Sequence, residues 1–265
     1  MADTLLLKLT LTPLLIGAAS LAGRRWGPAV SGWFVGLPLT SGPIALFLAL
    51  EHGAGFAAAA AVGALAGALA EVAFCLAYAA TARRGWPMAI VAASVAFAVV
   101  AGALQPVALS LAVTAVGVYV ALTGAVLIVP RPPQVAATRR PPAWDLPARM
   151  AIATTIVLLI TGAATALGAR LSGVLATFPA YAAILAIFAH RESASAATAV
   201  LRGLLLGLFG FAGFFVVLAA LLEQLGVGIA FVLASAATLA IQAASLVMVV
   251  AGPTSGRLGR MLAGR

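Results

Sequence analysis

The chain has 265 residues, of which 64% are hydrophobic and only 8% are charged, with 15 Lys and Arg against 6 Asp and Glu. A soluble domain carries roughly a quarter charged residues, so this composition excludes a soluble enzyme, a disordered chain and a disulfide scaffold, and it predicts a polytopic membrane protein. The net charge of +9 does not indicate nucleic-acid binding, because the basic residues recur in short loops between apolar stretches, as in cytoplasmic loops.

Nine apolar segments are long enough to cross a bilayer, which needs about 20 residues per helix. In chain order they are predicted at 4–22, 28–50, 55–81, 87–104, 106–129, 148–168, 171–189, 194–222 and 225–251. We expect all of them to be helical, because lipid offers the backbone no hydrogen-bond partner. In the first segment Asp3 precedes the only nearby cation, Lys8, which favours an uncleaved helix over a secretory signal.

The distribution of cations predicts the orientation of these spans. With the N-terminus outside, the inside connections and the tail hold Arg24, Arg25, Arg83, Arg84, Arg131, Arg139, Arg140, Arg149, Arg191, Arg257, Arg260 and Arg265. The outside retains Lys8, Arg170, Glu51 and Glu223. Because positive residues accumulate on the cytoplasmic side, the pattern predicts a multi-pass protein of the cell inner membrane with its N-terminus out and its C-terminus in.

The two halves of the chain resemble each other. The first and sixth segments end in GAASLAG and GAATALG, and each is followed by an SG pair and then by a Leu-Pro or Phe-Pro pair. Matching residues 141 positions apart are Ser31 and Ser172, Pro38 and Pro179, and Glu51 and Glu192. Because corresponding spans of the two copies are five spans apart, which is an odd number, the second copy is inverted, and this gives a 4+1+4 inverted-topology repeat. The predicted units are repeat 1 at 1–105, a connector helix with a Pro/Arg-rich cytoplasmic loop at 106–146, and repeat 2 with a basic tail at 147–265.

The second span of each repeat is predicted to be interrupted. Proline removes a backbone donor and clashes with the preceding turn of a helix, and it occurs in GLPLTSGP in the first copy and in FPAYAA in the second. Interrupted spans at matching positions mark transporter binding sites, although ordinary proline kinks without a ligand would have the same sequence. The candidate substrate-binding residues are Pro38, Thr40, Ser41, Pro43, Pro179 and Tyr181.

Two charged residues are predicted to lie near the middle of the bilayer. Glu71 is twelve residues before Arg83, and Arg202 is eleven residues after Arg191. An isolated charge at that depth costs at least about 2.5–3.5 kcal/mol, so we expect Glu71 and Arg202 to pair. They are the candidates for coupling or gating, and three roles stay open: a structural ion pair, binding of a charged or polar substrate, and transfer of a coupling proton by Glu71.

The remaining reactive residues predict no catalytic or metal chemistry. His52 and His190 lack partners at metal-ligand spacing, and no phosphate-binding or dinucleotide motif occurs. Cys75 lies in an apolar run and is expected to be a small buried residue. We therefore expect no metal, no cofactor and no enzymatic activity. Small residues at four-residue spacing, such as Gly63 and Gly67, predict a tightly packed bundle and are compatible with a homodimer.

The stretch SGVLATFPAYAAILAIFAHRES resembles the GlpM-type family of small four-helix bacterial membrane proteins, and SGWFVGLPLTSGPIALFLALEHG looks like a variant of the same unit. The resemblance covers about 20 residues per copy and implies a tandem fusion of two such units. The organisation is similar to small multidrug-resistance and drug/metabolite transporters, whose units pair head to tail. The GlpM-type family is associated with exopolysaccharide production and supplies no catalytic residues.

Two functions are compatible with this sequence. The first is a secondary transporter or exporter of a small solute or ion, which works by alternating access between the inverted halves in the lipid bilayer. The second is a membrane accessory protein that supports envelope or exopolysaccharide assembly without transporting anything. A water-accessible polar cavity between the halves would favour the transporter.

Overall fold

The computed structural model of the protein describes residues 6, 9–10, 13–14, 33–107, 109–131 and 144–250. The long helices of this part are α1 (Ser41–His52), α2 (Ala54–Thr81), α3 (Trp86–Leu104), α4 (Leu111–Ile128), α5 (Asp145–Leu175), α6 (Ala180–His190) and α7 (Ala194–Val250). Most of the predicted first span, most of the Pro/Arg-rich loop and the whole basic tail lie outside the described residues.

The prediction of an all-helical protein is confirmed for the described residues, which contain no β-strand. Four stretches are long and apolar enough to cross a membrane: Ala54–Arg84, Trp86–Leu104, Leu111–Ile128 and Ala194–Ser245. This length and composition agree with a protein that lies in a bilayer.

Helix α7 is a helical hairpin that turns at Gly226. This glycine has φ 75° and ψ 170°, a conformation that is far from helical and open almost only to glycine. Beyond the turn the chain runs back along its own earlier residues, because the Thr238 hydroxyl donates to the Gly210 carbonyl at 3.3 Å and the Gln242 amide donates to the Gly207 carbonyl at 2.9 Å. The two arms correspond to the predicted segments 194–222 and 225–251.

Helices α2 and α3 are joined by a similar glycine turn. A short 3-10 turn, Ala82–Arg84, ends at Gly85, which has φ 96° and ψ 158°. Gly85 and Gly226 are 141 positions apart, the same offset that relates the two copies in the sequence.

Helix α2 forms the centre of the bundle and packs against α1, α3, α4, α5 and α7. Most of its residues are buried, and alanine and glycine dominate its first half. Small side chains allow several neighbours to approach one helix closely, which gains van der Waals contact where lipid provides no hydrophobic driving force. Residues on α2 are therefore in a position to contact both halves of the chain.

The outer faces of α3 and α4 are apolar and exposed. Their exposed side chains recur every three or four residues and include Met88, Val91, Val95 and Val99 on α3, and Val113, Val116 and Val120 on α4. A continuous apolar surface of this kind is unusual on a soluble protein, and it is the surface that a bilayer would cover.

Candidate functional site between two interrupted helices

The first predicted interruption is present in the structure. Residues 33–35 are helical, turns and bends follow at 36–40, and α1 begins at Ser41. Pro38 lies in the bend, while Pro43 is buried in the first turn of α1, where proline is tolerated because its missing donor would have no partner there. Thr40 is half-buried and its side chain does not cap α1.

The second predicted interruption is present as well. Helix α5 ends at Leu175, and residues 176–179 are non-helical before α6 begins at Ala180. Pro179 is buried and has φ −80° and ψ 51°. The side chain of Tyr181 lies outside the described part of the chain, so its predicted role stays a prediction.

These two interruptions meet in the interior of the protein. The Ser41 hydroxyl is buried and donates a hydrogen bond of 2.7 Å to the backbone carbonyl of Ala176. A carbonyl that has lost its helical partner at an interruption needs another donor when it is buried, and Ser41 supplies it. We call the pair of segments 36–40 and 176–179 the crossing.

Each segment of the crossing also packs against a long helix of the opposite half. A Cβ placed on Gly36 would lie 2.6 Å from the Gly207 Cα on α7, and a Cβ on Gly67 of α2 would overlap the Thr177 hydroxyl. Only a hydrogen at these glycine positions leaves room for the neighbouring chain. Because one contact involves α7 and the other involves α2, the crossing is held between these two helices.

Glu71 lies on α2, one helical turn beyond Gly67. Its side chain is only 6% exposed, and no described residue gives its carboxylate a hydrogen bond or an ion pair. Residues four apart on a helix share one face, so Glu71 follows the same face of α2 that contacts Thr177. A buried acid without a described partner therefore lies next to the crossing.

Arg202 does not pair with Glu71, contrary to the sequence-based expectation. Its guanidinium donates to the carbonyl oxygens of Val126, at 2.5 Å, and of Val129. The last carbonyls of a helix lack intrahelical partners and carry partial negative charge. Arg202 therefore caps the C-terminus of α4, and backbone groups take the place of the expected carboxylate.

Tyr78 and His190 form a contact that the sequence analysis did not single out. The Tyr78 hydroxyl and His190 Nδ1 share a hydrogen bond of 3.2 Å, and the two rings lie 5.9 Å apart at 61°. Tyr78 is seven residues after Glu71, and that spacing on one helix face is the signal that could have identified it.

A second polar network joins the first interruption to the far arm of α7. The Trp33 indole donates to the Ser245 hydroxyl at 2.9 Å, and Ser245 donates to the Gln242 side-chain carbonyl at 2.9 Å. The Gln242 amide then donates to the Gly207 carbonyl. Because every member has a partner, this network is suited to holding structure together rather than to binding a ligand.

The described charges lie mainly at the two ends of the bundle. The Tyr78–His190 contact brings the C-terminus of α2 to the end of α6, so Arg83, Arg84 and Arg191 lie at the same end. At the other end a Cβ on Gly55 would lie 3.5 Å from the Glu223 carboxylate. One end of this part of the chain is therefore rich in arginine.

No protein-family profile matches this chain, and neither a curated protein nor a solved structure is significantly similar to it. Among the described residues, no three His, Cys, Asp or Glu side chains are grouped closely enough to hold a metal ion. The crossing and Glu71 therefore form the candidate functional site.

Proposed function

We propose that this protein is an integral membrane secondary transporter or exporter of a small solute or ion, working by alternating access between two inverted repeats. The observation that carries the proposal is reciprocal packing at the crossing. Gly36 contacts Gly207, and Thr177, which is 141 positions after Gly36, contacts Gly67. In the same way, Gly67 corresponds to Leu208, which is 141 positions later in the chain and directly follows Gly207. Each interruption thus packs against the long helix of the other half.

The direction of the long helices supports the inversion of the second repeat. The start of α2 lies beside Glu223 near the end of the first arm of α7, and the end of α2 lies beside His190, just before α7 begins. Corresponding helices of a non-inverted repeat would run parallel, whereas α2 and this arm run antiparallel. A pseudo-two-fold axis in the membrane plane produces that arrangement and provides two equivalent states, open to opposite sides.

The full topology that we propose has nine spans in a 4+1+4 arrangement, with α4 as the connector between the repeats. The arginine-rich end of the described bundle would face the cytoplasm under the positive-inside rule, which puts the N-terminus out and the C-terminus in. The protein would then be a multi-pass component of the cell inner membrane. The resemblance to GlpM-type proteins, the similarity to head-to-tail transporters and a homodimer stay predictions.

We assign the substrate to the crossing and coupling to Glu71. At the crossing, Ser41, Thr40 and the interrupted backbone offer polar groups inside an apolar bundle, and Pro38, Pro43 and Pro179 lie in or next to the two segments. Tyr181 stays a predicted member of this site. An ionisable residue inside a membrane bundle is by default a functional candidate, and Glu71 has no described partner that would explain it as structural. Arg202 is retained as a gating residue, because it ties the connector α4 to the second repeat.

Alternating access is tested with single cysteines at Thr40 and Thr177, one in each interruption, in a Cys75→Ala background. A membrane-impermeant maleimide is applied to right-side-out and to inside-out vesicles. Both positions should react from both sides, because each state opens the crossing to one of them. The matched control is Val95→Cys on the exposed face of α3, which should stay unreactive in lipid. Reaction from neither side at the crossing would contradict transport and favour an accessory role in envelope or exopolysaccharide assembly.

The role of Glu71 is tested by comparing Glu71→Gln with Glu192→Gln, which changes an exposed acid. Proteoliposomes on a solid-supported membrane are exposed in turn to inorganic cations, inorganic anions, small organic cations and amino acids. We expect a current in the parent protein and in Glu192→Gln, and its loss in Glu71→Gln. Unchanged current in a folded Glu71→Gln protein would remove Glu71 from coupling.

A further inference from the structure

Three residues of α2 lead from the Glu71 position towards the arginine-rich end of the bundle. Glu71, Cys75 and Tyr78 are spaced i, i+4 and i+7, so they lie on one face of the helix. All three are buried, with Cys75 and Tyr78 completely inaccessible. At 1.5 Å per residue, Tyr78 is about 10 Å along the axis from Glu71. Access to Glu71 from that end along this face therefore has to pass Tyr78.

The partner of Tyr78 belongs to the other half of the chain. His190 is the last residue of α6 and is half-buried, while Arg191 and Glu192 directly after it are exposed. The Tyr78–His190 contact is thus the last buried layer before the surface at this point. Helix α6 packs mainly against α7 rather than against α2, so these two side chains bridge a gap that the backbones leave between α2 and α6.

The end of α6 is also held by a contact with Trp144, which precedes α5. Phe188 contacts the ring of Trp144 at 5.6 Å, and the Arg191 guanidinium lies 5.7 Å from the centre of the Phe188 ring. The Trp144 contact attaches the end of α6 to the chain just before α5, and the Arg191 contact lies within the end of α6 itself. Among the described residues, the hydrogen bond and the ring contact that connect α2 to α6 in this layer are both between Tyr78 and His190.

We infer that Tyr78 and His190 form a gate that closes the route from the arginine-rich end of the bundle to Glu71. The gate closes when the hydroxyl and the imidazole meet, and it opens when α6 moves away from α2. This inference rests on the proposed function for its role in transport. Its test, however, measures access alone and requires no substrate.

Cys75 provides the readout, because it is the only cysteine of the chain and lies between Glu71 and the gate. The full-length protein in inside-out and right-side-out vesicles is treated with the membrane-impermeant cation 2-(trimethylammonium)ethyl methanethiosulfonate. The thiolate attacks the reagent's sulfenyl sulfur, forms a mixed disulfide and releases methanesulfinate. The rate is followed by intact mass, and Cys75→Ala shows the background.

The parent protein should react slowly, and Tyr78→Phe should react about fivefold faster in inside-out vesicles, which corresponds to the loss of one hydrogen bond from the closed state. His190→Ala should react at least as fast. His190→Asn, which keeps a hydrogen-bonding group near the position of Nδ1, should react more slowly than His190→Ala. The matched control is Thr81→Val, which removes a hydroxyl at the same end of α2 that bonds only to its own helix, at Ala77 and Tyr78. It should react at the parent rate.

The proposed gate is contradicted if Cys75 reacts no faster in Tyr78→Phe and His190→Ala than in Thr81→Val. It is also overturned if the parent reacts as fast as the detergent-unfolded chain, or if the increase is equal in right-side-out vesicles. If the cysteines at positions 40 and 177 react from neither side but Cys75 reacts faster in the Tyr78 and His190 variants, transport is contradicted and the gate is supported. If the cysteines at the crossing react from both sides but Cys75 does not react faster in these variants, transport is supported and the gate is contradicted.

Discussion

Ser41 and Ala176 are 135 positions apart in the chain, and the hydroxyl of the first donates to the carbonyl of the second at 2.7 Å. This bond joins the two predicted interruptions, at 36–40 and at 176–179. It also satisfies a buried carbonyl that would otherwise be costly at this depth. The interruptions are therefore parts of one site and not two independent kinks.

We expect Ser41→Ala to lower the free energy of unfolding by about 1–2 kcal/mol, because it leaves the Ala176 carbonyl buried without a donor. Thermal unfolding in detergent can be followed with a thiol-reactive dye that reports exposure of Cys75. The control is Thr123→Ala, which removes an exposed hydroxyl that bonds to the carbonyl of Tyr119 in its own helix. An equal effect of both substitutions would argue against the bond at the crossing.

Gly36→Ala should destabilise the protein by about 1–3 kcal/mol, because the new methyl group would overlap the backbone at Gly207 and force the two segments apart. Gly102→Ala is the matched substitution on α3, where nothing lies within 4 Å of the added carbon. It should be neutral or stabilise the helix by about 0.5–1 kcal/mol. The same dye measurement compares them, and similar unfolding temperatures would contradict the close approach of Gly36 to α7.

Gly226→Ala should cost about 1–3 kcal/mol, because alanine is strained at φ 75° and ψ 170°. Gly228→Ala, two residues later, meets no atom within 4 Å and has no positive φ. We expect it to leave the unfolding temperature unchanged or to raise it. If both variants unfold like the parent, the turn in α7 does not depend on glycine at 226.

Arg202→Met should lower the stability by about 1–3 kcal/mol, because the terminal carbonyls of α4 lose a charged donor. Arg202→Lys should recover part of that loss, since lysine can reach one carbonyl but lacks the planar guanidinium. Arg84→Met at an exposed site is the control. A stable Arg202→Met protein that has lost transport current would instead show that the residue acts in the transport cycle.

Proline and glycine made much of the architecture predictable. Pro38 and Pro179 each remove a backbone donor and clash with the preceding turn, which favours an interruption of the helix near them. The turn at Gly226 lies close to the predicted connection between 222 and 225, because an apolar stretch longer than a bilayer has to turn. These are local effects of single residues, and a sequence contains them directly.

The partners of the charged side chains were not predictable in the same way. Arg202 was expected to pair with Glu71, but it binds backbone carbonyls at the end of α4, and every helix has unpaired carbonyls in its last turn. The Tyr78–His190 contact joins residues 112 positions apart whose meeting depends on how α6 docks. Long-range packing of this kind leaves no periodic pattern in a sequence that is mostly alanine, leucine and glycine.

The Trp33 network makes the two halves unequal. At the positions that correspond to Trp33, Ser245 and Gln242, the opposite half has Val174, Leu104 and Ala101, none of which can form these hydrogen bonds. Two identical inverted halves would populate their two states equally. One hydrogen bond worth about 1 kcal/mol already shifts such an equilibrium about fivefold. Under the proposed alternating access, the resting protein should therefore favour one facing state, and substrate binding would have to supply free energy to reach the other.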